Sequence, residues 1–218
     1  MTTAIVGIGN IGGTVARELA AGGEQVVLSA TDHAAVEKLA DEIGDHAKAA
    51  KDNREAVKQA DAVVFALWLD PMRGVINEVA DLLPGKLVID PSNPVSYSAD
   101  GSVSRTLPDG QSSGQVVSGL LPQGTRFVKA FGTMSAPMLG SSAYRDPRAV
   151  LFYASDDDTA GGQAEKLIHA AGFEPVRAGG VGAAIRIEMG GDLHAFGGLN
   201  GRVVDKAEAQ SLLAPSRV

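Results

Sequence analysis

Short apolar runs alternate with longer segments of helical period along this chain. Ala4-Ile5-Val6 leads through a glycine turn into a helix to about Ala21, and Gln25 to Ser29 precedes a helix from about His33 to Ile43. A weak strand at Ala47 to Ala50 is followed by a helix from Asn53 to Gln59. The run Ala62-Val63-Val64-Phe65-Ala66-Leu67 is apolar throughout, which is the composition of a strand covered on both faces. A helix then starts at Pro71 and runs to Leu83, and Pro84-Gly85 turns into a strand over Lys86 to Ile89. From Asp90 to Gly114 the pattern lapses into Pro, Ser, Asn and Gly, and an irregular stretch of that length is more often functional than accidental. Regularity returns with a helix near Gln115 to Leu121 and a strand from Arg126 to Phe131. A strand at Ala149 to Tyr153, a helix from Asp158 to Ala171, a strand at Phe173 to Arg177 and a helical C-terminus complete the pattern.

The first turn narrows the fold class. Gly7-Ile8-Gly9-Asn10-Ile11-Gly12 stands directly between the first strand and the first helix. In that context the first glycine makes the tight turn, the second lets the backbone approach a pyrophosphate, and the third lets the helix pack on its strand. The pyrophosphate would rest on the unpaired N–H groups of the helix N-terminus. The expected fold is therefore α/β: a Rossmann-type doubly wound parallel sheet with a small C-terminal α/β extension. Residues 1–140 form the dinucleotide-binding unit in this reading, and residues 141–218 extend the sheet or make a small lobe that completes the cleft.

Ligands in such sheets collect at the strand exits, and each exit supplies candidates. The second strand ends Ser29-Ala30-Thr31-Asp32. The slot that holds an acid in NAD-selective sites falls near Ala30, so Ser29 and Thr31 are hydroxyls suited to a 2′-phosphate, while Asp32 is either a ribose acceptor or the cap of the next helix. The fourth strand exits through Leu67, Trp68 and Leu69, where the single tryptophan either walls the nicotinamide half of the cofactor or packs in the core. Asn93, between Pro91-Ser92 and Pro94, is a held amide or a plain turn residue. The sixth strand exits through Ala130, Phe131, Gly132 and Thr133.

Composition removes several classes. A net charge of −7 without a basic run argues against nucleic acid as a partner. With no cysteine, thiol nucleophiles and thiolate metal sites are excluded. No apolar stretch approaches the roughly 20 residues of a membrane span, and a cytoplasmic setting with small-molecule ligands is expected. Asp156-Asp157-Asp158 stands before a helix, where it complements the dipole more simply than it binds a metal. No metal site is expected. The segment from Glu188 to Arg202 carries glycines at 190, 191, 197, 198 and 201 around His194. It reads either as a helix in the core or across a dimer, or as a groove for a planar ligand with His194, Asp192 or Asn200 at its edge.

On Gly7 to Gly12, on Val26-Val27-Leu28-Ser29, and on Lys129-Ala130-Phe131-Gly132-Thr133-Met134-Ser135-Ala136, the chain resembles the F-420-dependent NADP oxidoreductase family. That resemblance implies a homodimer that passes hydride between NADP(H) and a deazaflavin, coenzyme F-420, or a flavin. Two positions depart from the family's pattern: Ala30 stands where relatives place arginine beside the 2′-phosphate, so NAD stays open as the cofactor, and Gly132 stands where many carry asparagine. Two other functions compete. Reduction of a small imine or ketone would need a proton donor, for which Lys129, Tyr144 and His194 are the candidates, with His194 the one catalytic candidate retained. A non-catalytic NAD(P)-binding protein would need none.

Overall fold

The computed structural model describes residues 1–214; the helical C-terminus read from the sequence falls partly on residues 215–218, outside the described residues. The elements run β1 (Thr2–Val6), α1 (Asn10–Ala21), β2 (Gln25–Ser29), α2 (His33–Ile43), β3 (Ala47–Ala49), α3 (Asn53–Lys58), β4 (Ala62–Phe65), α4 (Leu69–Val79) and β5 (Leu87–Asp90). They continue with β6 (Val95–Tyr97), β7 (Val103–Arg105), α5 (Ser113–Leu120), β8 (Arg126–Lys129), α6 (Ala136–Ser142), β9 (Val150–Ala154), α7 (Asp158–Ala170), β10 (Glu174–Gly179), α8 (Ala184–Ile187) and α9 (Lys206–Leu213).

Eight strands form one sheet in the order β10-β9-β8-β5-β4-β1-β2-β3. The central strands pair in parallel, with Ala4 opposite Val27 and Val63, so every strand from β1 to β5 and β8 exits on the same edge. Period-two alternation sorts the side chains into two cores. Ile5, Leu28, Val64, Ile89 and Val128 face α1, α2, α6 and α7 through residues such as Val15, Leu39, Leu139 and Leu167. Ala4, Val6, Val27, Val63, Phe65 and Val88 face α3, α4 and α5 through Val57, Met72, Ile76 and Val117. Helices thus cover both faces, as a doubly wound parallel sheet requires.

Four features differ from the sequence pattern. The strands β9 and β10 pair in parallel with each other, but β9 meets β8 through a single antiparallel bridge, Lys129 to Ala154. The stretch from Asp90 to Gly114 contains the hairpin β6–β7, with Ser96 opposite Ser104, because Asp100-Gly101 turns two short alternating runs back on each other. The helix α6 was not anticipated; Ser135 caps it and Pro137 occupies its first turn. The segment from Glu188 to Arg202 is a string of turns and not a helix. Its glycines explain why: a Cβ at Gly197 or Gly198 would lie 2.1 or 2.4 Å from the carbonyl oxygens of Gly191 or Asp192.

The three consecutive aspartates have three separate uses. Asp157 caps α7 by accepting from Thr159 N and Ala160 N, Asp156 accepts from Val181 N, and Asp158 pairs with Arg177 at 2.6 Å. Replacing Asp157 with alanine leaves two first-turn N–H groups without their acceptor. Asp157→Ala is expected to lower stability by about 1 kcal/mol in urea unfolding, while Asp158→Ala, which breaks only an exposed ion pair, stays within about 0.5 kcal/mol.

Candidate functional site

A cleft of about 1000 Å³ opens along the strand exits. Its floor is the first turn. Gly7 has φ +92°, a conformation side chains rarely adopt, and its N–H is bonded to Ser29 O at 2.8 Å. Gly12 lies against it so closely that a Cβ there would sit 1.9 Å from Gly7 O. Gly9 precedes α1 and has no side chain with which to cap it, so the first N–H groups of the helix face the cleft without a side-chain partner. This backbone surface suits an anion.

Of the residues anticipated from the sequence, Gly7, Ile8, Gly9, Asn10, Ile11, Ala30, Thr31, Leu67, Trp68, Asn93 and His194 line the cleft. Six do not. Gly12 lies beneath the turn and acts through packing. Ser29 is 1% exposed and its hydroxyl donates to Asn53 Oδ1 at 2.5 Å, so it offers nothing to a 2′-phosphate. Leu69 is the first residue of α4 and turns into the core. Ala130 and Phe131 belong to the other core cluster, Phe131 with a strained φ of +64°. Thr133 is buried, with its hydroxyl unpartnered. Gly12 has the packing role its place in the glycine motif implies; the other five are assigned to the cofactor because they flank strand exits, and at an exit alternate residues point into the sheet layers instead.

Residues it missed complete the walls. Ser92, Met134, Ser135, Pro137, Met189 and Phe196 line the cleft, as does Tyr97 on the hairpin. Trp68 and Tyr97 are each 56% exposed and meet edge to face with ring centroids 6.0 Å apart, so Trp68 is a wall and not a core residue. The hairpin signal around Asp100-Gly101 and the Ser135-Ala136-Pro137 helix start were available in the sequence. Nothing periodic marks Met189 or Phe196.

Behind the cleft lies a buried charge cluster. Lys129 at the end of β8 is 1% exposed and donates to Asp90 Oδ2 and to Ser113 Oγ, both at 2.7 Å, and also to Ser92 O. Glu188 lies 3.6 Å from the same ammonium and accepts from Ser113 N and Gly114 N, the first amides of α5. One cation thus stands against two carboxylates, and the N-terminus of α5 stabilises the second. Asn93 extends the lock: its Nδ2 donates to Gly132 O at 2.9 Å and its Oδ1 accepts from Met189 N at 2.6 Å. A side chain at 132 would meet Pro91 O at 2.5 Å, so the glycine that departs from the family's pattern is enforced here by the adjacent loop.

His194 is 1% exposed and uses both ring nitrogens. Its Nδ1 accepts from Phe196 N at 2.9 Å, which places the proton on Nε2, and Nε2 donates to Gly132 O at 3.0 Å. Burial pushes its pKa down to about 4. It is a neutral brace between the turn segment and the β8 exit. The other two proposed proton donors are engaged as well: Lys129 as described, and Tyr144 by Glu18 O and Ala170 O, away from the cleft lining.

A Rossmann-type sheet with a glycine-floored cleft at its strand exits has the arrangement in which open α/β sheets hold their ligands. A family model described as NADP oxidoreductase, coenzyme F420-dependent, matches residues 2–94, so the resemblance read from the motifs is borne out over that stretch. An F420-dependent NADP reductase of Methanothermobacter marburgensis is 28% identical over 141 residues, which is 61% of this chain and 63% of that protein. The chain therefore matches a little under two thirds of that relative's length. Among solved structures, a hypothetical protein of Sinorhizobium meliloti superposes with a TM-score of 0.81 at 28% identity, over 94% of this chain and 96% of that one. A protein of Arthrobacter sp. FB24 proposed to be an F420-dependent NADP reductase gives 0.72 at 22% identity, over 84% and 86%, and shares the fold.

Two outcomes test this geometry. Lys129→Met leaves two buried carboxylates without their cation and should cost about 3–5 kcal/mol in urea unfolding. For His194 the folded pKa of about 4 lies below the ordinary 6.5, so the unfolded chain binds more protons between those values. Stability should fall by up to about 1.4 kcal/mol per pH unit as pH drops from 6.5 toward 4, with none of this loss above 6.5. His194→Gln should remove that part of the slope, measured by unfolding midpoints across the range.

Proposed function

We propose that this chain is an oxidoreductase that moves hydride between a nicotinamide dinucleotide, which is NADP(H) in the family it resembles, and a deazaflavin or flavin-like acceptor. The observation that carries the reading is the continuity of the cleft: one cavity of about 1000 Å³ runs from the glycine turn to a mouth rimmed by Trp68, Tyr97 and Phe196. That volume is at the top of the range of about 300–1000 Å³ for small-molecule sites, and supports room for the nicotinamide and a second planar ring. The cofactor supplies the hydride chemistry. The protein's part in this reading is placement: the turn from Gly7 to Gly12 holds the pyrophosphate, Asn10 and Ile11 flank it, and Leu67, Trp68 and Asn93 wall the nicotinamide end.

With placement as the main device, face-to-face holding of two rings contributes more than an acid–base pair. The engaged states of Lys129, Tyr144 and His194 favour this over imine or ketone reduction, which needs a free donor. Residues 1–140 make the dinucleotide unit in this proposal, and residues from 141 onward complete its cleft through Met189, His194 and Phe196. A homodimer is the assembly the resemblance implies, and a cytoplasmic setting is part of this proposal.

Purified protein mixed with NADPH and the 8-hydroxy-5-deazaflavin should lose absorbance at 340 nm together with the deazaflavin band, faster than with FMN or FAD. No consumption with any of the three acceptors refutes the proposal. Trp68→Ala should raise KM for the acceptor by about tenfold, the equivalent of one aromatic contact of about 1.4 kcal/mol.

A further inference from the structure

The ribose end of the cleft carries chemistry unsuited to a 2′-phosphate. Among the described residues that line the cleft there is no lysine or arginine, and Asp32 is the only carboxylate. The adjacent side chains do not compensate. Ala30 has no donor, and the Ser29 hydroxyl is committed to Asn53, whose Nδ2 in turn donates to Glu78 Oε2 at 3.1 Å. Thr31 is the one hydroxyl left at the exit of β2.

Asp32 also occupies the place a phosphate would use. It is the N-cap of α2, an 11-residue helix, and its Oδ1 accepts from Ala35 N at 3.0 Å. The carboxylate therefore already supplies the negative charge that the helix N-terminus favours. A phosphate dianion brought to the same turn would meet a like charge in place of free amides. A ribose diol, in contrast, can donate to the same carboxylate.

The nearby cations lie outside the lining of the cleft. Arg17 and Lys38 line an adjoining groove of about 610 Å³, where Glu42 stands 2.8 and 4.0 Å from them. Arg54 is paired with Asp81 at 2.8 Å.

We infer that Asp32 selects for an unphosphorylated ribose, so that this chain binds NAD(H) at least as tightly as NADP(H). The inference rests on the proposed dinucleotide site but not on the identity of the hydride acceptor. Titration calorimetry of the full chain with NADH, NADPH, ADP-ribose and 2′-phospho-ADP-ribose reads it directly. The wild type should bind NADH with a Kd equal to or below that for NADPH, and the two ADP-ribose probes should rank the same way. Asp32→Asn keeps a capping oxygen and removes the charge, and should shift the NADPH to NADH Kd ratio about tenfold toward NADPH. Ala30→Arg should shift it the same way while leaving the cap intact. Thermal melts of both variants within a few degrees of wild type exclude a folding defect.

Wild-type affinity for NADPH tenfold above that for NADH, or a ratio unchanged in Asp32→Asn and Ala30→Arg, overturns the inference. A ratio that shifts as expected in a protein that reduces no deazaflavin or flavin leaves this inference standing and removes the acceptor reading instead.

Discussion

The buried ammonium of Lys129 is the constraint on which the architecture of the cleft depends. A lysine that is 1% exposed is tolerable only with its charge compensated and its protons accepted. Asp90 and Ser92 at one strand exit, Ser113 and Glu188 provide this from three separate parts of the chain. Removing any one partner leaves a charge or a donor stranded in the interior, which is far more costly than never having buried the group. The cluster therefore fixes the exits of β5 and β8, the start of α5 and the turn segment after α8 as a unit. Asn93 and His194, which both donate to Gly132 O, pass that rigidity to the cleft wall.

The two ends of the cleft are built on different physical terms. At the glycine turn the surface is backbone, and the uncapped amides and dipole of α1 give it a positive potential suited to an anion. At the far end the surface is aromatic and apolar, with Trp68, Tyr97 and Phe196 about half exposed. Exposed aromatic area of that kind is unfavourable in water unless a flat partner covers it. Between these ends, Asp32 is a charge that serves α2 as a cap while setting the local potential of the cleft.

The sequence was most informative where local and global demands coincide. The alternation of apolar strands and helices yields the doubly wound sheet because parallel strands covered on both faces must be apolar throughout, and the glycine turn is legible because only glycine fits at 7 and 12. The cleft was legible to about the same depth as those rules reach. Trp68, Asn93 and Thr31 follow from the position of strand exits, but the inward turn of Ser29, Phe131 and Thr133 does not, since orientation at an exit depends on packing of the neighbouring layer. The charge cluster was hidden for a related reason: Lys129 and Glu188 are 59 residues apart, and a single charged residue in an apolar run gives no indication of its partner. The turns from Glu188 to Arg202 were ambiguous because helical spacing of glycines also arises when backbones simply stack.

That late segment has a consequence for biosynthesis. Met189, His194 and Phe196 line a cleft whose floor is laid down by residues 7 to 12, so during synthesis the glycine turn waits for the segment after α8 before the cleft can close. At about 5–20 residues per second, the glycine turn spends on the order of ten seconds or more as an open, half-walled surface. The nascent sheet can form in that interval, but the cleft is a product of the later segment, and a chain halted before residue 188 would have the glycine turn without the walls that Met189, His194 and Phe196 supply.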